Sequence, residues 1–182
     1  MLLTKLNTDQ LIAKCRERDQ NAQLETYTRY YKAMYNASLR IVKDSAEAED
    51  IMQEAFLTAF TKLPMLEDNK MFGAWLKKIV INASLTASRK RNSYNEVDID
   101  TIEYSLTDTN GISEESLSSV KVQTIVSTLS KLKDSYSSIL SLHFIEGYDY
   151  EEICQIMDIS YANCRTLISR AKESLRKKLE QT

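Results

Sequence analysis

The 182-residue chain sets 24 Lys and Arg against 26 Asp and Glu, and it holds only three Gly and one Pro. That length suits one domain or two small ones, and so few breakers point to helices. It lacks a run of about eighteen apolar residues, a leader-like apolar core in MLLTKLNTDQLIAK, a glycine-rich phosphate loop and a nucleophile elbow. Neither a membrane span nor a signal peptide is therefore expected, the chain is expected to be cytoplasmic, and no catalytic role is assigned to any residue.

The first half reads as consecutive helices. Leu24, Tyr27, Tyr31, Met34, Ser38 and Leu39 keep one face of a long helix through NAQLETYTRYYKAMYNASLRIV. The next helix, AEAEDIMQEAFLTAFTKL, has a cleaner stripe of Met52, Ala55, Phe56, Ala59, Phe60 and Leu63. Asp44 or Ser45 can cap it, Glu47, Glu49 and Asp50 suit the positive end of its dipole, and Pro64 ends it. With Met52 inward, Asp50, Glu54, Leu57 and Thr61 point to the opposite side and Gln53 lies at the edge. A leucine among acids there looks like the apolar centre of a binding face. A third long helix over about 71–92 carries Phe72, Trp75, Ile79, Asn82 and Leu85 along its inner side.

Composition then shifts. Residues 92–120 hold Glu96, Asp98, Asp100, Glu103, Asp108, Glu114 and Glu115 and no Lys or Arg, in a Ser/Thr/Asn-rich setting. Such a segment reads as a linker, turning helical from about Ser113. By contrast, residues 69–95 hold Lys70, Lys77, Lys78, Arg89, Lys90 and Arg91 with no acid. Residues 161–182 hold six bases and two acids. The formal net charge of −2 thus hides two basic patches around an acidic spacer. That is the footprint of a protein touching phosphates in two places.

The C-terminal pattern is a helix-turn-helix. DYEEICQIMDISYANCRTLISRAKESL gives a short helix, a three-residue break and a longer helix. Asp149 and Glu152 form a capping box, Cys154 supplies a small residue at the helix crossing, Asp158 tolerates a left-handed turn, and Ser160 can cap the second helix. Cys164, Ile168, Ala171, Leu175 and Leu179 make the buried stripe. Arg165, Thr166, Ser169, Arg170 and Lys172 fall on other faces, where an N-terminal end could enter a major groove. The three cysteines lack ligand spacing and read as reduced, small packing residues, and His143 reads as a packing residue, so no metal and no cofactor are expected.

Both halves together resemble the extracytoplasmic-function class of bacterial RNA polymerase sigma factors of the sigma-70 family. AEAEDIMQEAFLTAF matches the D-x-x-Q-E-x-F helix of that class, and FGAWLKKIVINASLTASRKRN matches its F-x-x-W-L-x-x-I-x-x-N helix. LSKLKDSYSSILSLHFIEGYDYEEICQIMDISYANCRTLISRAKESLRKKL follows its C-terminal domain. The resemblance covers roughly residues 20–180. It implies an all-α, two-domain initiation factor without enzymatic activity: a region 2-like domain over 1–92, an acidic flexible linker over 93–116 and a region 4-like helix-turn-helix domain over 117–182. The first domain would bind the clamp helices of core polymerase through Asp50, Gln53, Glu54 and Leu57. It would open the minus-ten element with Lys70, Lys77, Lys78, Asn82, Arg89 and Arg91, the loop PMLEDNKM capturing a flipped base. The second would read the minus-thirty-five element with Ser160, Arg165, Thr166, Ser169 and Arg170 and touch the polymerase flap, with Lys172, Arg176 and the terminal lysines on phosphate or flap. The linker would pass near the active centre and the RNA exit path. An anti-sigma factor is a further candidate partner.

The chain departs from the class pattern at three places. Thr86 stands where the class usually has Asp, the recognition helix reads Arg165, Thr166, Leu167 where K-S-R is usual, and Ser169 replaces a usual His. The class carries over and the promoter sequence does not. Two other readings fit less of the chain. A helix-turn-helix regulator not held by polymerase, such as a dimeric repressor, leaves the Gln53/Glu54 helix and the acidic linker without a purpose. A partner-binding adaptor leaves the acid-free basic stretch unexplained.

Overall fold

The computed structural model describes residues 3–94 and 116–180, with side chains over 3–91 and 122–180. Among them all regular structure is helical, in two compact units divided between Asn95 and Glu96. The acidic stretch over 95–115 lies outside the described residues.

The first unit begins with a helix that sequence periodicity did not single out, α1 (Thr8–Arg16). Its signal is local: Asn7 and Gln10 form a reciprocal capping box, and Leu11, Ile12 and Cys15 bury one face. The long α2 (Gln20–Val42) is capped by Asp19 and closed by Lys43 in a left-handed conformation. It packs along both α3 (Ser45–Lys62) and α4 (Phe72–Tyr94). Asp44, not Ser45, caps α3, its carboxylate accepting from the Glu47 amide at 2.8 Å. Pro64 falls in a 3-10 turn, Leu63–Met65, where a missing amide is tolerated.

Burial on α2 and α4 differs from the expected stripes. Leu24 is 65% exposed, Tyr27, Tyr31 and Leu39 are half-buried, and the α2 core face is Ala22, Thr26, Met34, Ala37, Ser38 and Ile41. On α4, Leu76, Val80, Ile81 and Ser84 are buried, Trp75 and Ile79 are half-buried at the flank, and Asn82 is exposed rather than inward. Small residues explain this shift. Ser38 and Ser84 meet inside the bundle with their hydroxyl oxygens 2.8 Å apart, a closeness larger side chains would prevent. Gly73 serves the same end, since a Cβ there would sit 2.8 Å from the Tyr30 ring. Phe72 is fully buried beside Tyr30 and Phe60, and that burial alone is worth about 1.5–3 kcal/mol.

The second unit holds α5 (Ser116–Ser130), α6 (Asp134–Leu140), α7 (Tyr150–Met157) and α8 (Tyr161–Leu179). Helix α6 runs into a π-helical turn, Ser141–Ile145, which ends at Gly147 with φ +80°. His143 packs there against Tyr150, its Nδ1 3.0 Å from the Tyr148 carbonyl. Ile139, Leu140, Leu142, Ile153, Cys164, Ile168 and Ala171 form the core. Leu175 and Leu179, expected in that stripe, are only half-buried, because they line an open groove on α8.

Candidate nucleic-acid interface

Three exposed surfaces carry the residues singled out in the sequence. On α3, burial of Ala48, Met52, Ala55, Phe56 and Ala59 leaves Asp50, Gln53, Glu54 and Leu57 on the outside. Leu57 is 68% exposed, a large apolar side chain set beside carboxylates. Gln53 points toward Glu49, one turn earlier, with its amide nitrogen 3.5 Å from the carboxylate.

The second surface belongs to α4 and the loop before it. Lys70 and Lys78 are exposed, and Lys78, Asn82 and Arg89 recur at spacings that bring them to one outer stripe of the helix. Lys77 is half-buried to one side. Arg91 turns the other way, its guanidinium donating to Glu47 on α3 at 2.8 Å, so the six expected cations and amides do not form one array. Thr86, a departure from the class pattern, is exposed between Asn82 and Arg89 with its hydroxyl donating to the Asn82 carbonyl at 2.8 Å, and Lys90 is exposed to the side of the stripe, next to Arg89 in sequence. Phe72 is fully buried in the aromatic cluster and cannot stack on a base, while Trp75 packs against it half-buried.

The third surface is built by cap chemistry. Asp149 and Glu152 close a reciprocal box at the start of α7, with bonds of 2.8 and 2.9 Å. Asp158 adopts φ 53°, ψ 53° and turns the chain, its amide donating to the Cys154 carbonyl. Ser160 accepts from the Asn163 amide at 3.3 Å, which caps α8 with one lone pair and leaves the exposed hydroxyl its O–H donor. Arg165, Thr166, Ser169 and Arg170 are all exposed, with Thr166 opposite the buried Cys164–Ile168–Ala171 stripe. Tyr161, 52% exposed at the first turn of α8, adds an aromatic ring to this face that neither charge nor cap pattern marks in the sequence.

Beneath this face, burial pushes the Cys164 thiol up to about 11, with the neighbouring Cys154 adding to the effect. In the first unit, burial raises the Cys15 thiol, partly opposed by its hydrogen bond with Thr26. Further along α8, Phe144, Leu175 and Leu179 line an open groove of about 420 Å³ rimmed by Lys172, Arg176 and Glu180. Lys172 stands 5.1 Å over the Phe144 ring. The terminal lysines have partners within the unit. Lys177 pairs with Glu173 at 2.9 Å, and Lys178 donates to the Lys131 carbonyl at 2.8 Å.

The family models that match divide the chain in the same order as these surfaces: Sigma-70 region 2 over residues 26–94, and Sigma-70, region 4 over 123–175. The ECF RNA polymerase sigma factor SigW of Bacillus subtilis is 30% identical over 176 residues, 92% of this chain and 94% of that one. The chain belongs to the ECF sigma factors. Sigma factors are transcription initiation factors, and this sigma factor is 29% identical to the sigma-E factor of Escherichia coli K12 across 95% of both chains. Solved structures share the fold. Sigma factor RpoE of Bartonella quintana, bound to the anti-sigma factor NepR, gives a TM-score of 0.59 at 20% identity, covering 86% of this sigma factor and 95% of that chain. CnrH, in complex with the cytosolic domain of CnrY, gives 0.57 at 20% identity over 96% and 99%. Among the described residues, no helix of this sigma factor is long and apolar enough to cross a membrane.

Proposed function

We propose that this sigma factor acts in the cytoplasm, without catalysing a reaction itself, by bringing bacterial core polymerase to promoter DNA and assisting its opening. The α3 face of Asp50, Gln53, Glu54 and Leu57 would bind the polymerase clamp helices. Apolar contact at Leu57 supplies affinity there, and the surrounding carboxylates supply orientation. The α4 stripe of Lys78, Asn82 and Arg89, with Thr86 on it and Lys90 to its side, would track the opened minus-ten element, with the loop over 64–71 receiving a displaced base. Ser160, Arg165, Thr166, Ser169 and Arg170 would read the minus-thirty-five element, Ser160 capping α8 through a lone pair while its O–H remains available to donate. Domain limits of 1–92 and 117–182, with the acidic tether between them, follow from this division. The Phe144–Leu175–Leu179 groove, rimmed by Lys172 and Arg176, suits an apolar flap segment. An anti-sigma partner fits the same exposed surfaces, and the RpoE relative was solved with one.

One observation carries the DNA-opening part of this reading: Lys78, Asn82 and Arg89 share an outer stripe of a helix whose inner stripe is the domain core. Phosphate neutralisation by that stripe releases counterions, so removing cations must flatten the salt dependence. Holoenzyme carrying Lys78→Ala with Arg89→Ala should open promoters more slowly and lose about 1.4 units of the log–log salt slope, about 0.7 for each phosphate contact to a single strand. An unchanged slope would remove the stripe from the DNA path. Failure of the wild-type chain to co-elute with core polymerase would overturn the whole reading.

A further inference from the structure

The loop between α3 and α4 is fastened from a distant part of the sequence. Inside, Leu63 and Leu66 are buried, 2% and 7% exposed, and the Leu66 amide donates to the Leu63 carbonyl at 3.1 Å. The far half is a 3-10 turn, Asn69–Met71, capped by Asp68, whose carboxylate accepts from the Lys70 amide at 2.9 Å. Between these two fixed points the loop meets α1. Arg16, the last residue of that helix, donates from Nε to Asn69 Oδ1 at 2.9 Å and from Nη2 to the Leu66 carbonyl. Asn69 completes the latch, donating from Nδ2 to Asp9 Oδ1 at 3.0 Å and toward the Asp9 carbonyl at 3.4 Å.

Each group suits its place. A guanidinium offers two donors in a rigid fork, so Arg16 fixes the Leu66 carbonyl and the Asn69 amide relative to each other. An amide has a donor end and an acceptor end, and Asn69 uses both at once. Asp9 and Arg16 stand two turns apart on one face of α1, so the loop is gripped along a line and cannot pivot about a point. What the gripped loop displays is apolar and unsatisfied by the fold. Met65 is 74% exposed and Met71 55%, either side of the exposed Lys70. Flexible thioethers are suited to packing on a flat π face, and a lysine beside them suits the attached phosphate.

We infer that Arg16 and Asn69 are positioning residues for base selection: through the α1 latch they hold Met65, Lys70 and Met71 in the geometry that accepts one unstacked nucleobase of the opened promoter strand. This rests on the reading that the loop over 64–71 faces DNA. The latch touches no nucleotide; it acts by removing alternative loop positions that would accept other bases. Because Arg16 and Asn69 act through a shared contact, their substitutions should not add.

Holoenzyme assembled from the full chain is the material for the test, with promoters randomised across the minus-ten element. Arg16→Ala, Asn69→Ala and their double variant should each lose about three- to tenfold of the preference at one base position, the double no more than the singles. Melting temperature and core-polymerase affinity should stay near wild type, and Arg16→Lys, which reaches one acceptor instead of two, should fall between. Unchanged base preference in Arg16→Ala overturns the inference. So does a loss of preference matched by an equal loss of core binding and melting temperature, since that marks plain structural support. A parallel Met65→Ala with Met71→Ala variant separates the two levels. If it opens and selects promoters as wild type does, the DNA-facing reading of the loop fails; if it loses selection while Arg16→Ala does not, only the latch fails.

Discussion

At Arg165 the side chain is exposed one residue beyond the fully buried Cys164. Cys164 fixes the rotation of α8, and that rotation presents Arg165, Thr166 and Ser169 outward. If Arg165 reads a guanine through its fork, Arg165→Ala should cost about 1–3 kcal/mol and relax preference at one upstream position. Transcription from a randomised minus-thirty-five element measures both, and an untouched selected sequence would exclude α8 as the reader. Cys164 itself makes a different prediction. Its thiol is raised from 9.0 to about 11 by burial, so the folded chain keeps a proton that the unfolded chain releases. Below pH 9 both states hold it and stability is full. Between about pH 9 and 11 stability should fall, and Cys164→Ala, with nothing to ionise there, should show a shallower fall in urea midpoint. Equal pH profiles for the two proteins would contradict the burial of that thiol.

Helix α3 faces two ways, and its two faces can be separated by mutation. Met52 and Phe56 hold the bundle, whereas Asp50 and Glu54 are exposed on the far side with Leu57. Asp50→Arg with Glu54→Arg should therefore abolish co-elution with core polymerase while shifting the melting temperature little, because surface substitutions stay within about 0.5 kcal/mol. Normal co-elution of that variant would move the polymerase contact elsewhere. Elements like this one were legible in the sequence because cap residues and stripes are local chemistry. Asp44, Asp149, Asp158 and Ser160 each act within three or four residues of their own position. What the sequence hid is non-local. The α4 stripe is offset from the expected one because α2 decides which side is covered, through Ser38 and Ser84, 46 positions apart. Arg91 reads as a DNA cation until Glu47, 44 positions away, claims it. The α1 latch joins residues 50 and 60 positions apart, and no periodicity encodes such a pair.

Across the whole molecule, charge is segregated where it could have been mixed. The basic α4 and α8 surfaces flank a stretch in which Glu96, Asp98, Asp100, Glu103, Asp108, Glu114 and Glu115 stand without a single Lys or Arg. Without those seven acids the formal charge would be positive instead of −2. The sign matters for a protein with two basic faces, since a net positive charge strengthens non-specific attraction to DNA. A string of carboxylates can also occupy a channel built for a polyanion and be displaced from it by nucleic acid. Both effects depend on charge and neither on length, so one substitution set isolates them. Replacing the seven acids by Gln and Asn at equal length should leave core-polymerase binding intact, because the α3 face is unchanged. Binding of the free protein to non-promoter DNA should rise, most strongly at low salt where screening is weakest. In transcription, the yield or length distribution of abortive products should change, since the neutral segment no longer competes as a polyanion with the growing RNA. Identical non-specific binding and identical transcript patterns from the two proteins would reduce the segment to a passive spacer.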